Sequence, residues 1–169
     1  MSSLTAIRPR RDTKPLSWSV SLYHGFCGGS LLLQSPLLLA VRLYWGWQFA
    51  QTGWGKLHHL AQIAEFFRSL GIPCPGLSAH FVAGLEFAGG LLLIAGLASR
   101  LTGLLLVANM FVAYWTADHE ALASIFSDPG KFYGVDPYTF LFASLLVLIF
   151  GAGYFSPDAV IAKRWRKPA

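Results

Sequence analysis

The stretch LSAHFVAGLEFAGGLLLIAGLASRLTGLLLVANMFVAYWTA, residues 77–117, decides the fold. It contains two apolar runs, residues 77–97 and 101–117, with only three residues between them. Each run is close to the ~20 residues that an α-helix needs to cross the hydrocarbon core of a bilayer. Because the connection is so short, the two runs predict a tight antiparallel hairpin of membrane-spanning helices.

Two further apolar runs flank this hairpin: residues 37–55, which follow Pro36, and residues 138–155. The chain of 169 residues is 54% hydrophobic and 12% charged, with a mean hydropathy of +0.51. About a quarter of the residues in soluble domains are charged, and a small soluble domain leaves much of its surface in water. We therefore predict an all-α fold, a polytopic four-helix bundle whose outer surface contacts the lipid bilayer.

The formal net charge of +5 raises the question of a nucleic-acid partner. The basic residues, however, flank the apolar runs, as they do on the cytoplasmic side of a membrane. Nine lie in the two tails and the hairpin turn: Arg8, Arg10, Arg11, Lys14, Arg100, Lys163, Arg164, Arg166 and Lys167. The two other loops hold three: Lys56, Arg68 and Lys131. This excess predicts a multi-pass protein of the cell membrane (inner or plasma), with both termini cytoplasmic and no nucleic-acid partner.

Three segments and one additional short helix follow from these boundaries. Residues 1–35 are predicted as an N-terminal arm in the cytoplasm or at the interface, residues 36–158 as the transmembrane domain, and residues 159–169 as a basic cytoplasmic tail. In the first outer loop, apolar residues recur at helical spacing before Gly71, which can end a helix. They are Leu60, Ile63, Phe67 and Leu70. We expect them to form a short amphipathic helix on the outer membrane surface.

Among the polar side chains inside the apolar runs, three are candidates for buried interactions: Arg42, Glu86 and Asn109. A charge deep in the bilayer costs at least ~2.5 kcal/mol, so it usually faces the bundle and has a partner there. We predict that Arg42 pairs with Glu86. The pair is either a structural clamp or part of a proton or ligand site in which Glu86 is the candidate proton acceptor. Asn109 is interpreted first as an interhelical hydrogen bond and second as a ligand contact.

A second group of candidates lies at the predicted outer face. It contains Lys56, His58, His59, His80, Asp118 and His119. Imidazole binds metals and haem iron and also carries protons near neutral pH. The spacing of these histidines matches no metal motif, so they are either separate interfacial residues or an outer-face redox, metal or quinone-headgroup site. We expect a cavity from the histidines to Glu86, lined by Gly53, Ala83 and Asn109.

Four short motifs and Arg42 carry a resemblance to a known family. They are GWGKL at 53–57, LGIP at 70–73, EFAGG at 86–90 and GLASR at 96–100. In this order and spacing they resemble the DoxX family of small four-helix membrane proteins, over residues 36–158. The resemblance implies the four-helix membrane fold. Its motif positions include Arg42, Lys56, Glu86 and Arg100, none of which has an assigned catalytic role.

The resemblance also implies a range of functions. Some DoxX-like proteins are subunits of a thiosulfate:quinone oxidoreductase, others associate with membrane complexes that handle thiol and oxidative stress, and some are linked to copper-binding peptide systems. One hypothesis is therefore a subunit of a quinone-linked or stress-related membrane system, with a peripheral or periplasmic redox or metal-binding partner. The alternative is a non-enzymatic scaffold or small permease, and either kind of protein could form a homo-oligomer. The sequence leaves open whether the chain is an enzyme.

Overall fold

The computed structural model describes residues 18–165. The basic residues of the predicted arm and the end of the predicted tail lie outside the described residues: Arg8, Arg10, Arg11, Lys14, Arg166 and Lys167. The chain divides into two units, Met1–Leu32 and Leu33–Ala169. In the first unit the structure describes a helical backbone from Trp18 onward. All packing and site geometry below belongs to the second unit.

The described residues form eight helices and no strand, which confirms the all-α prediction. The helices are α1 Trp18–His58, α2 Leu60–Ser69, α3 Pro75–Ala95, α4 Ser99–Thr116, α5 His119–Ala123, α6 Pro129–Tyr133, α7 Asp136–Phe150 and α8 Pro157–Trp165. Within the described part of the chain, α3 alone is long and apolar enough to cross a membrane by itself, whereas α7 is apolar but has 15 residues. The number of crossings therefore stays a prediction.

The sequence predicts that the first span starts after Pro36 as a helix breaker, but Pro36 lies inside α1, which continues through it. A proline in a helix interior removes one backbone hydrogen bond, and in α1 the helical turns on both sides continue despite that loss. At the other end of the chain, part of the predicted basic tail is helical, because α8 reaches Trp165. The structure thus has more helix at both ends than the apolar runs alone predict.

The amphipathic helix expected in the first outer loop is α2. Its end matches the sequence signal: Gly71 has a φ of +72°, a left-handed conformation that glycine adopts without steric cost. The Gly71 and Ile72 N–H groups donate to the carbonyl oxygens of Arg68 and Phe67, both at 3.0 Å. These bonds satisfy carbonyls that the end of a helix leaves unpaired.

Glycines bring α1 and α3 into close contact. A Cβ atom on Gly53 would lie 2.3 Å from the Phe87 backbone nitrogen. One on Gly90 would lie 2.5 Å from the Gly46 carbonyl oxygen. No larger residue fits either position without moving a backbone, and such small-residue contacts are typical of membrane helices. The two contacts fix the antiparallel register of α1 against α3.

A single apolar cluster joins the four long helices of this unit. Phe49 of α1, Leu93 of α3, Leu106 and Met110 of α4, and Val147 of α7 are buried together. Dense packing of such side chains leaves few voids as large as a water molecule. Because Phe49 stands midway between Arg42 and Lys56 along α1, this cluster separates the two basic residues.

Candidate functional site

Glu86 is the centre of a buried polar cluster. It lies in α3 and is only 2% exposed. The Lys56 ammonium of α1 donates to both carboxylate oxygens, at 2.6 Å to Oε1 and 2.7 Å to Oε2. Asn109 of α4 donates its Nδ2–H to Oε1 at 3.0 Å. Three helices thus meet at one carboxylate, and we name this arrangement the Lys56–Glu86–Asn109 cluster.

The register of α1 against α3 explains why Lys56 reaches Glu86. Gly53 packs against Ala83 and Phe87, so Lys56 stands one helical turn beyond that contact. α1 continues to His58, which keeps Lys56 on the helix face that meets α3. Its long aliphatic stem can lie along apolar surface while the ammonium reaches the carboxylate, and the side chain remains 31% exposed.

The predicted pair between Arg42 and Glu86 is wrong, because the Arg42 guanidinium binds backbone carbonyls instead. It donates to Leu93 at 2.9 Å, Ile94 at 3.2 Å, Ala152 at 2.6 Å and Phe155 at 3.1 Å. The first two carbonyls are in the last turn of α3, where carbonyl oxygens carry partial negative charge, and the Leu93 carbonyl also accepts from the Gly96 N–H at 3.1 Å. The other two follow α7. Arg42, 1% exposed, therefore joins α1, α3 and the segment between α7 and α8.

A cavity of about 830 Å³ lies beside the Lys56–Glu86–Asn109 cluster. Side chains from α1, α2, α3, α4 and the start of α7 form its wall, and most of them are apolar. Its volume falls within the range of about 300–1,000 Å³ that is usual for small-molecule sites. Small-molecule sites of this kind are mostly apolar and carry a few polar groups that orient the ligand. The cluster supplies such groups here.

The cavity has a different wall from the one predicted. Asn109 lies on it, but Gly53 and Ala83 are buried in the contact between α1 and α3. Ile63, Phe66 and Phe67 of α2, and Leu70 directly after it, also form the wall and were not predicted there. The signal was present in the helical spacing of these residues. It was assigned to the membrane surface, whereas the structure turns part of this apolar face toward the cavity.

The histidines near α2 do not join the cluster. His58, His59 and His80 each place Nδ1 2.7–2.9 Å from the backbone carbonyl oxygen four residues earlier in the chain. All three are exposed, and none lines the cavity. Among the residues that the structure describes, no group of three or more His, Cys, Asp or Glu side chains could hold a metal ion.

The candidates at the start of α5 also lie apart from the cavity wall. Asp118 precedes α5 and His119 begins it. Their neighbour Glu120 accepts a hydrogen bond from the Lys131 ammonium at 2.9 Å. This bond and the charge of Lys131 lower the pKa of the exposed Glu120 carboxyl. The hydrogen bond between Lys131 and Glu120 therefore joins two parts of the loop between α4 and α7, and it does not connect this loop to Glu86.

Asp158 has a structural role that the sequence analysis missed. Its two carboxylate oxygens accept hydrogen bonds from the backbone N–H groups of Ala98 and Ser99, both at 2.8 Å. Free N–H groups at a helix start favour a negative charge, and a capping side chain satisfies them. This cap for α4 comes from about 60 residues away, so no local motif could reveal it.

Comparison with known proteins agrees with the family motifs. The DoxX family model matches residues 37–119. The Inner membrane protein YqjF of Escherichia coli (strain K12) is 28% identical over 139 residues, which cover 79% of this chain and 98% of that protein. A Bacillus subtilis (strain 168) protein named "Putative oxidoreductase CatD" is 27% identical over 125 residues, which cover 74% of this chain and 87% of the relative. No solved structure gives a significant match.

Proposed function

This chain is a membrane protein of the DoxX family, and we propose that it binds a membrane quinone and couples it to a redox partner protein. The observation that carries the proposal is the Lys56–Glu86–Asn109 cluster on the wall of a largely apolar cavity. The Bacillus subtilis relative, which is named as an oxidoreductase, adds support from outside the structure. The chain itself contains no CxxC sequence and no glycine-rich nucleotide fingerprint, so electrons come from the partner.

The cluster offers the contacts that a quinone headgroup requires. A quinone, when bound, supplies two-electron, two-proton redox chemistry. Lys56 has three N–H donors, of which two point at the Glu86 carboxylate, and the third is available to a carbonyl oxygen. An ammonium placed there stabilises negative charge that develops on that oxygen. Glu86 accepts a proton from a quinol hydroxyl, and Asn109 orients the ring through its amide.

The closed end of the bundle favours a ligand site over a permease. The apolar cluster around Phe49 separates the cavity from Arg42. Beyond it, Arg42 donates four of its five N–H groups to carbonyl oxygens and is 1% exposed. A polar solute would have to cross both layers to pass through the protein, whereas a bound ligand needs only one opening.

Quinone content tests the proposal. We expect quinone to be extracted from wild-type protein purified from membranes, and to be reduced at least tenfold in a Glu86→Gln variant. Glu65→Gln is the matched control, because Glu65 is an exposed carboxylate of α2 whose partner is Arg68. Quinone-free wild-type protein that also fails to bind added quinone would refute the proposal and leave a scaffold as the better account.

For the membrane topology, we propose four crossings by α1, α3, α4 and α7, with both termini in the cytoplasm. The support is the excess of basic residues in the tails and in the turn between α3 and α4. Cys74 is the residue directly before α3, and it is exposed. In a Cys27→Ser variant it is the sole cysteine, and a membrane-impermeant maleimide should label it in intact cells. If the maleimide labels Cys74 only after the cells are broken, the orientation is the reverse of the one proposed.

A further inference from the structure

The cavity has a lateral mouth, and we infer that its ligand is a neutral amphipath that enters sideways from the lipid phase and leaves its apolar tail between α3 and α4. This inference rests on the proposed quinone function and specifies how that ligand is selected. It specifies which class of molecule enters the cavity and by which route. The Lys56–Glu86–Asn109 cluster alone determines neither.

The mouth is defined by residues that line the cavity and are also exposed. The large ones on α3 and α4 are Leu77, Phe81, Leu105 and Val112, with exposures from 42% to 74%. All four are apolar. An exposed apolar patch of this kind marks a membrane-facing or ligand-binding surface, because water would not favour it.

The position of the mouth along α4 places it within the membrane-spanning part of the helix. Leu105 lies about 9 Å from the start of α4 at Ser99, at a rise of 1.5 Å per residue. Val112 lies about 6 Å from its end at Thr116 by the same measure. Along α4 the opening therefore faces hydrocarbon over residues 105–112, whereas Leu77, about 3 Å from the start of α3, marks its end near the outer loops.

The charges of the cluster select an uncharged head. Lys56 and Glu86 are held within 2.7 Å of one another, so their opposite charges cancel. A phosphate group would bring a second anion beside the Glu86 carboxylate, which costs energy at low dielectric. A neutral head with carbonyl and hydroxyl oxygens instead meets an available ammonium N–H and the Asn109 amide oxygen. Phospholipids of the surrounding bilayer are thereby excluded.

The size of the cavity indicates a tail. A volume of about 830 Å³ is much larger than a single six-membered ring requires. The remaining space is bounded by apolar side chains, among them Phe66, Phe67 and Leu85. Burying apolar surface against them strengthens binding roughly in proportion to the area removed from water. A ligand with a hydrocarbon tail gains this contribution, and a bare headgroup does not.

The test compares a long-tailed benzoquinone with its tail-free headgroup in nanodiscs of phosphatidylglycerol. We expect the long-tailed form to bind wild-type protein at least tenfold more tightly. Ala108→Phe places a ring at the mouth, because Ala108 is exposed and lines the cavity. It should weaken binding of the long-tailed form at least tenfold. Ala88→Phe is the control, since Ala88 is an exposed residue of α3 outside the cavity wall.

The outcomes separate this inference from the proposed function. Equal affinities for the two quinones, unchanged by Ala108→Phe, would overturn lateral entry while leaving a quinone site in place. No binding of either quinone to wild type would overturn both. A second measurement needs no variant: a quinone with a photoreactive group at the end of its tail should label residues 77–81 and 105–112. Labelling confined to other segments would also overturn the inference.

Discussion

Arg42 and Glu86 are both buried charges on the facing helices α1 and α3, yet the protein satisfies them in opposite ways. Arg42 is held by four backbone carbonyls and does not line the cavity beside Glu86. Glu86 is held by two side chains, and the cavity opens beside it. Backbone carbonyls can move only with the main chain, whereas the side chains of Lys56 and Asn109 can change rotamer. The first charge therefore fixes the fold, and the second can exchange partners with a ligand.

The largest effect is expected from Arg42→Gln. A buried acceptor without a partner costs about 1–3 kcal/mol, so the loss of bonds to four carbonyls should lower the free energy of unfolding by ~4 kcal/mol or more. Thermal unfolding in detergent and accumulation in the membrane would both report this loss. Arg100→Gln is the matched control, because exposed Arg100 makes a single hydrogen bond of 3.4 Å to Ile149. Similar unfolding of both variants would show that the carbonyl bonds contribute little.

An intermediate and asymmetric effect is expected at the cluster. Lys56→Gln leaves Glu86 buried without a cation, and removing one partner of a buried pair costs about 3–5 kcal/mol. Glu86→Gln should cost less, ~1–2 kcal/mol, because Lys56 is partly exposed and can turn toward water. Unfolding measurements on the two single variants and the double variant would reveal the coupling. Additive losses would contradict the pair.

A double variant at Arg42 and Glu86 tests whether the two buried charges stabilise the protein independently. Arg42 and Glu86 share no hydrogen-bond partner, and the apolar cluster around Phe49 lies between their sites. Independent sites add within about 0.3–0.5 kcal/mol. The losses from Arg42→Gln and Glu86→Gln should therefore be additive in unfolding experiments, in contrast to the losses at Lys56 and Glu86. A large coupling would mean that the two sites communicate through α1 or α3.

The smallest effect is expected from the histidines. Substituting His58, His59, His80 and His119 by Gln, singly or together, should leave quinone content and metal content unchanged. Exposed substitutions of this kind usually change stability by no more than about 0.5 kcal/mol. The measurements are quinone extraction and elemental analysis of purified protein. A fourfold variant that loses quinone while Glu86→Gln retains it would restore the outer-face histidine site and exclude the cluster.

The sequence predicted those features that depend on local pattern. Helical spacing and Gly71 marked α2, and the family motifs singled out Lys56 and Glu86. The burial of Arg42 and Glu86 also followed from the cost of a charge in an apolar run. Each of these features is determined by residues within a few turns of one helix.

The choice of partners could not be predicted in the same way. Arg42, Gly46, Gly53 and Lys56 share one face of α1, so the pattern allows either basic residue to meet Glu86. The choice depends on the register set by Gly46 and Gly53 against α3. Both glycines have the small size that close contact requires, but the position of contact depends on three-dimensional packing. The cap from Asp158 and the carbonyls at Ala152 and Phe155 are likewise distant in sequence.

Arg42 obtains its full set of hydrogen-bond acceptors only late in the synthesis of the chain. Ala152 is added 110 residues after Arg42. At a translation rate of about 5–20 residues per second, the interval is roughly 6–22 s. Throughout it, the nascent chain carries Arg42 without its full set of acceptors, and only the arrival of the segment after α7 supplies the rest. The guanidinium thereby distinguishes finished chains from truncated ones, since a chain that stops before residue 152 keeps Arg42 with only two of its four carbonyl partners, Leu93 and Ile94.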